Sequence, residues 1–494
     1  PITAIVAAVA AYRARPLASR AEGRPPASES CRRWSVAQMR AGLPVAAALL
    51  GLGLAAAPVA VLLVLMFWAV ATLLAVMVLR AAALWFALRP SPEPPDPPPG
   101  TLPTISVIVA LYREGGIAPR LVRRLGRLDY PRALLDVIFA VEDDDAETRA
   151  ALALAPLPPW LRVVVVPPGA VRTKPRALNY ALDFARGSIV GTWDAEDAPA
   201  PDQLRRVAAR FAARPDAVAC LQGVLDYYNP RTNWLARCFT IEYAAWFRVV
   251  LPGLQRLGAP LPLGGTTLFL RRVVLEQVGA WDAHNVTEDA DLGIRLYRRG
   301  YRTEMIPTVT EEEANCRPRA WVRQRSRWIK GHLITWAVHM RHPVRLWRDL
   351  GGRGFIPYQI LFLGGQSQVL LAPLLWSLWI VAAGGAHPVG TVLGGPVLLA
   401  LTALFVGAEL LTIATGIIGA RRTRHRGLAW WAPTLHLYYP LASLAGWRAA
   451  VEVFTRPFYW AKTSHGQFDS ALAAQRVRTS PASMRSRVSK ARLM

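Results

Sequence analysis

The sequence predicts an α/β domain inserted between transmembrane α-helices, and three observations carry that reading. Apolar residues gather in long blocks near both ends of the 494-residue chain. Between the blocks, short β-branched runs alternate with Arg- and Ala-rich helical stretches. The basic surplus, 58 Lys+Arg against 33 Asp+Glu for a net charge of +25, flanks the apolar blocks, as cytoplasmic loops do. With 53% hydrophobic and 18% charged residues, disorder is excluded as the main state. The four cysteines (Cys31, Cys220, Cys238, Cys316) form no C-x-x-C or paired spacing, which argues against a disulfide framework and a zinc site.

In chain order, residues 1–42 read as a basic arm and 43–89 as a transmembrane hairpin. The apolar block Leu43 to Leu88 is interrupted only by Arg80, and its length suits two crossings of ~20 residues each. Pro58, after Gly51 and Gly53, marks the turn. Residues 90–103 are a stiff Pro-rich linker. Residues 104–318 carry strand-like runs at Ile105 to Ala110, Leu135 to Val141, Leu161 to Val166 and Ile189 to Trp193, alternating with helices as in a mostly parallel sheet. In 319–354, Trp321, Trp328 and Trp336 share one helical face within ~80°, which predicts amphipathic helices in the membrane interface with Trp inward and Arg/Lys at the headgroups. Residues 355–455 hold three apolar blocks, three or four transmembrane segments. Arg421, Arg422, Arg424 and Arg426 precede the last one, Leu428 to Phe454. That block has basic segments on both sides and is too short for two spans, so with Pro433 and Pro440 inside it reads as broken or re-entrant. Residues 456–494 end in a basic tail.

Carboxylates recur in the central domain: Glu114, Glu142 to Asp145, Asp194-Ala-Glu196-Asp197, and Glu288-Asp289-Ala-Asp291. In an open α/β sheet, ligands bind beyond the carboxyl ends of strands, where collected acids repel one another unless a cation relieves them. Any one cluster reads better as helix caps and solvated loop; their recurrence in a basic protein shifts the balance towards a site. Asp194 and Glu196, two residues apart at a strand end, suit Mg²⁺ or Mn²⁺ shared with a phosphate. Thr287 before Glu288 and Asp289 is also a good helix N-cap. Lys174 opens a helix where phosphate would be at home. Gly264-Gly265-Thr266-Thr267 allows close backbone approach.

Taken in order, these motifs resemble the processive family 2 glycosyltransferases, the group of cellulose, hyaluronan and chitin synthases. Ser106 to Glu114 resembles the first nucleotide-binding strand and loop, and Glu142-Asp143 the second strand-end acid. Asp194-Ala-Glu196 resembles D-x-D, Thr287-Glu288-Asp289 the T-E-D motif, and Gln324 to Trp328 the Q-x-x-R-W motif. The resemblance implies a cytosolic GT-A (nucleotide-diphospho-sugar transferase) domain between the transmembrane helices. By position it implies that Tyr112, Glu114 and Asp143 contact the base, that Lys174, Gln324 and Arg327 steady the diphosphate, and that Asp194 and Glu196 hold Mg²⁺ or Mn²⁺. Asp289 would be the general base, with Thr287 and Glu288 beside it. Trp328, Gly264, Gly265 and Thr266 would bind the acceptor. Lys462, Thr463 and His465 resemble a gating loop loosely. Glu196 departs from the usual second Asp. No cyclic-di-GMP motif is evident.

The sequence therefore reads as an inner-membrane inverting transferase. It would use a UDP-sugar, UDP-glucose first, to extend a β-linked polysaccharide or oligosaccharide acceptor among membrane lipids, and would export the product with a periplasmic partner. Its rivals are a transferase adding one sugar to a lipid carrier and a non-enzymatic membrane receptor or scaffold. A nucleic-acid partner is disfavoured, because the basic arms flank membrane segments.

Overall fold

The computed structural model describes residues 16–89, 102–116 and 118–460. Lys462, Thr463 and His465, the basic tail and nearly all of the Pro-rich linker lie outside them. Residues 16–23 form helix α1. The hairpin follows as α2 (Val36–Ala56) and α3 (Pro58–Ala87). Pro58 opens α3, where its missing N–H costs no hydrogen bond.

The α/β domain is one eight-stranded sheet with the order β3-β2-β1-β4-β7-β6-β8-β5. Its strands are β1 (Ile105–Leu111), β2 (Leu135–Glu142), β3 (Leu161–Val166), β4 (Ile189–Trp193), β5 (Ala198–Pro199), β6 (Val218–Tyr227), β7 (Leu268–Arg271) and β8 (Arg302–Glu312). β1 to β4 are parallel, β7 runs antiparallel to β4 and β6, and β6 is parallel to β8. The connecting helices are α4 (Ala118–Leu125), α5 (Ala146–Ala153), α6 (Lys174–Leu182), α7 (Gln203–Ala212), α8 (Trp234–Ala245), α9 (Leu251–Leu257), α10 (Arg272–Gln277) and α11 (Glu288–Arg298). Alternate strand residues go to opposite faces. Val107, Val109 and Phe139 pack with Leu121 and Leu204, while Ile108, Ile138 and Val190 pack with Leu178 and Leu254. The first four strands fall within a residue of expectation. The mixed half, β5 to β8, has no clean Val/Ile runs and was not anticipated.

After β8 come α12 (Pro318–His339), α13 (Pro343–Gln359), α14 (Gly365–Trp376), α15 (Leu378–Ala382), α16 (Gly390–Leu393), α17 (Gly395–Arg421), α18 (Leu435–Tyr438) and α19 (Pro440–Thr455). Among the described residues, α3 and α17 are long and apolar enough to cross a membrane, with mean hydropathies of 2.8 and 2.2. Only 17% and 22% of their apolar windows are buried, unlike the core helix of a soluble protein. Leu74, Val78, Leu399 and Leu410 point outward.

The apolar helices dock on the α/β domain through small residues and carbonyl caps. A Cβ on Gly253 of α9 would stand 2.0 Å from the Ala83 carbonyl oxygen of α3, and one on Gly419 of α17 2.5 Å from the Ala245 nitrogen of α8. Arg256 and Arg422 donate to the carbonyls of Phe86 and Ala87, at the end of α3 where orphan acceptors and the helix dipole favour cations.

The packing bears on two expectations, the Trp face of α12 and the broken block Leu428 to Phe454. The expectation of Trp towards lipid is corrected for Trp321 and Trp328 of α12, which face protein. Trp321 is buried against Phe239 and Tyr438, Trp328 packs on Phe239 and Tyr243, and Lys330 is fully buried on Glu452. The block Leu428 to Phe454 is broken into a 3₁₀ segment (Arg426–Thr434), α18 and α19. Its start is held to the α/β domain by Arg424–Glu311 (2.5 Å) and by His425 against the Tyr227 carbonyl. Its end is held by Lys330 on the Arg456 carbonyl. In between, His436 reaches Glu409, ~18 Å along α17 from Arg421. The block therefore enters and leaves on one side.

Gly253→Ala should lower stability by about 1–3 kcal/mol, because the added methyl overpacks a backbone contact. Gly407→Ala, which meets open space, should not. Thermal unfolding of the two variants in detergent checks this.

Candidate active site

One cavity of about 750 Å³ is lined by the strand ends of the α/β domain, by α11 and α12, and by the apolar helices α3, α14 and α17. Its focus is Lys174, the first residue of α6, whose ammonium donates to the Gly265 carbonyl (2.8 Å) and pairs with Asp194. Burial works against this charge, but Asp194, Glu288 and Asp289 outweigh it and hold the Lys174 pKa above its usual value. A Cβ on Gly265 would meet Asp289 Oδ2 at 3.1 Å and Lys174 Nζ at 3.5 Å. The missing side chain lets the loop 264–266 lie between the base candidate and the cation. The adjoining Thr267 has φ 56°, an unusual state for a β-branched residue and the kind of strain that gathers at functional loops.

The three acids after β4 divide by direction. Asp194 and Glu196 line the cavity. Asp197 is fully buried and turned away from it, accepting from the Asp194 N–H (2.7 Å) and the Thr266 hydroxyl, and so braces the turn. Glu312, at the end of β8, also lines the cavity, and burial together with Asp197, Glu196 and Asp194 pushes its pKa well up. No three His, Cys or acidic side chains among the described residues converge tightly enough to enclose an ion. The donor set still fits a hard divalent cation completed by phosphate oxygens. It offers three carboxylates lining the cavity, Asp194, Glu196 and Glu312, with Asp197 behind them, crowded and mutually repelling.

Glu288 and Asp289 open α11, where the dipole favours acids. Thr287 makes no cap bond. Its side chain instead packs against Gly331 of α12, where an added Cβ would be 2.3 Å from its hydroxyl oxygen. Burial and then Asp289 raise the Glu288 pKa to about 8, and burial raises that of Asp289. On α12, Gln324, Arg327 and Trp328 stand at i, i+3 and i+4 and share the face that lines the cavity. Gln324 Oε1 and Arg327 Nε are buried without a hydrogen-bond partner, and the Arg327 guanidinium lies 4.6 Å from the Trp460 ring.

At the other wall, Tyr112 and Glu114 line the cavity on the loop after β1. Arg113 there has φ 56°, with its N–H on Asp145, while the Glu114 N–H donates to the Thr148 hydroxyl. Asp143, expected beside Tyr112 and Glu114, does not line the cavity. It lies just past the end of β2, half exposed, and pairs with Arg149 (3.3 Å) outside the cavity. Its neighbour Glu142 lines the cavity instead, pushed up to about 7 by burial against the opposing Arg176 and Arg172.

Sequence reasoning placed Glu142 only within the strand-end acid pair, with the contact given to Asp143, and gave no role to Glu312 or Arg325. Arg325 is held by Glu242 and lies over the rings of Trp321 and Trp328; its place within the Q-x-x-R-W stretch was the available signal. Arg80, the lone charge of its apolar block, also lines the cavity and donates to Thr412 of α17.

The sequence matches the family described as "Glycosyl transferase family group 2" over residues 189–461, more than half of the chain. It is 30% identical over 329 residues to the beta-monoglucosyldiacylglycerol synthase of Synechocystis sp., covering 63% of this chain and 66% of that protein. It is 26% identical to the cellulose synthase 1 catalytic subunit of Komagataeibacter xylinus, covering 51% of this chain and 34% of that one. Against a second glycolipid synthase, from Trichormus variabilis, the chain spans 49% of the relative's length. The fold is shared with a solved mannosyltransferase of Pyrobaculum calidifontis at a TM-score of 0.51 and 22% identity, over 79% of this chain and 98% of that one. With its curled mixed sheet of GT-A type and its match to the family, the chain belongs to glycosyl transferase group 2 and is a family 2 glycosyltransferase.

Proposed function

We propose that this chain is a membrane-embedded, inverting glycosyltransferase that moves a sugar from a nucleotide-diphosphate donor to an acceptor hydroxyl arriving from the membrane side. The observation that carries this is the continuity of one cavity from Lys174, Asp194 and Asp289 to the apolar helices α3, α14 and α17. Tyr112 and Glu114 would receive the base, and Lys174, Gln324 and Arg327 the diphosphate. Asp194 and Glu196 would hold Mg²⁺ or Mn²⁺, which supplies positive charge against the departing diphosphate. Asp289 takes the acceptor proton as the acceptor oxygen bonds to the anomeric carbon and the carbon–diphosphate bond breaks. Gly264, Gly265, Thr266 and Trp328 border the acceptor.

The apolar lining from Leu73, Val76 and Phe405 supports a lipid-borne acceptor receiving one sugar, in keeping with the named activity of the glycolipid synthase relatives. A second reading, the β-linked polysaccharide expected from the motifs, is supported by Trp328 and the amide of Gln366 in the same cavity. UDP-glucose remains the first donor to try.

Three outcomes are expected. Asp289→Asn should cut nucleotide release by about 10²–10⁴-fold while the melting temperature in detergent is kept; unchanged turnover would sink the assigned base. Incubating the purified protein with membrane lipids and a panel of radiolabelled nucleotide sugars should give a solvent-extractable glycolipid bearing one sugar. A high-molecular-weight product would favour the polymer reading. Turnover should rise with pH, because burial keeps the Glu288–Asp289 carboxyls protonated above the ordinary acid range and only the ionised form accepts a proton. A pH–rate profile with its acid limb at an unperturbed carboxylate value would contradict this.

A further inference from the structure

We infer that residues 16–35 form a brace for the donor side of the cavity, with Glu22 as its positioning residue. This inference rests on the donor reading of Lys174 and Tyr112. The segment packs on the α/β domain rather than trailing from it. Asn179 of α6 donates to the Ala21 carbonyl (2.8 Å), Arg24 pairs with Asp183 (2.7 Å), and Asp282 accepts from Ser30 and from the Cys31 N–H.

Glu22 is the point at which this packing reaches the cavity. Its Oε1 accepts from Arg176 Nε (3.0 Å) and from the Ala170 N–H (2.9 Å). Arg176 is 1% exposed, donates to the Pro167 carbonyl and stands 3.6 Å from Glu142 in the cavity wall. One carboxylate thus holds the middle of the loop 167–173 directly and its start through Arg176. That loop carries Arg172, which donates to the Tyr112 hydroxyl (3.2 Å), and it leads straight into Lys174. Gly169 shows how closely the parts fit, since a Cβ there would fall 2.1 Å from Glu22 Oε1 and 2.2 Å from Arg176 Nη2. A buried guanidinium shared between two carboxylates has a fixed direction only while both are present. Without Glu22, Arg176 swings to Glu142 alone and the loop loses its N–H anchor.

The test uses the full chain in detergent, with UDP in the presence of Mn²⁺ as probe, well below the melting temperature. Glu22→Ala should weaken UDP binding fivefold or more. Glu22→Gln, which keeps an acceptor oxygen for the Ala170 N–H, should recover at least half of that loss. Gly169→Ala, which pushes the pair apart from the loop side, should weaken binding in the same direction and covers the case in which Glu22→Ala does not fold. Lys174→Ala reports separately on the donor reading. If Lys174→Ala loses binding while Glu22→Ala and Gly169→Ala bind as the unaltered protein does, the brace is overturned alone. Unchanged binding in all three overturns both.

Discussion

The arrangement depends on the Lys174 ammonium. It meets the strand-end acids on one side and the helix-start acids on the other. Carboxylates brought this close repel one another strongly in a desolvated pocket. Lys174 offsets part of that repulsion, and its bond to the Gly265 carbonyl fixes where the two acid groups meet. The fold supplies the rest of the geometry. α6 starts at Lys174, β4 ends just before Asp194, and α11 starts just after Thr287. Three element boundaries far apart in the chain therefore deliver their polar ends to one place, as open α/β sheets do at their carboxyl edge.

The same logic of close backbone contact joins the sheet domain to the apolar helices. Gly253 on Ala83 and Gly419 on Ala245 leave no room for side chains, so the helices are held at a fixed distance from the sheet. Arg256 and Arg422 then hold the helix end at residues 86 and 87. On the other flank, Gly331 gives Thr287 its space. The start of α11 and the cavity face of α12 are thereby kept in register, and with them Asp289, Gln324 and Arg327.

Much of this was legible in the sequence because it rests on local patterns. Pro58 as the hairpin turn, the four parallel strands and the shared face of Gln324, Arg327 and Trp328 follow from periodicity and backbone chemistry. What could not be read depends on direction and on distant partners. Glu142 ends β2 and Asp143 follows it, and the two differ in which way their side chains face. Asp197 stands in the same acidic run as Asp194 and Glu196, but its bonds to Thr266 and the Asp194 N–H turn it inward. Trp321 and Trp328 make a stripe that suits lipid as well as protein, and only the position of α8 with Phe239 and Tyr243 decides between them. The basic arm read as a surface charge, yet Glu22 and Arg24 in it are tied to Arg176 and Asp183.

The return of the block 426–455 to the side it entered has a consequence for handover. With the α2–α3 hairpin also turning back at Ala57, the described chain on the membrane-embedded reading offers the far side little more than that turn and residues 383–394 between α15 and α17. No described domain waits there to catch a sugar product. On that reading, a product reaching the far side would meet, among the described residues, chiefly the short stretch 383–394.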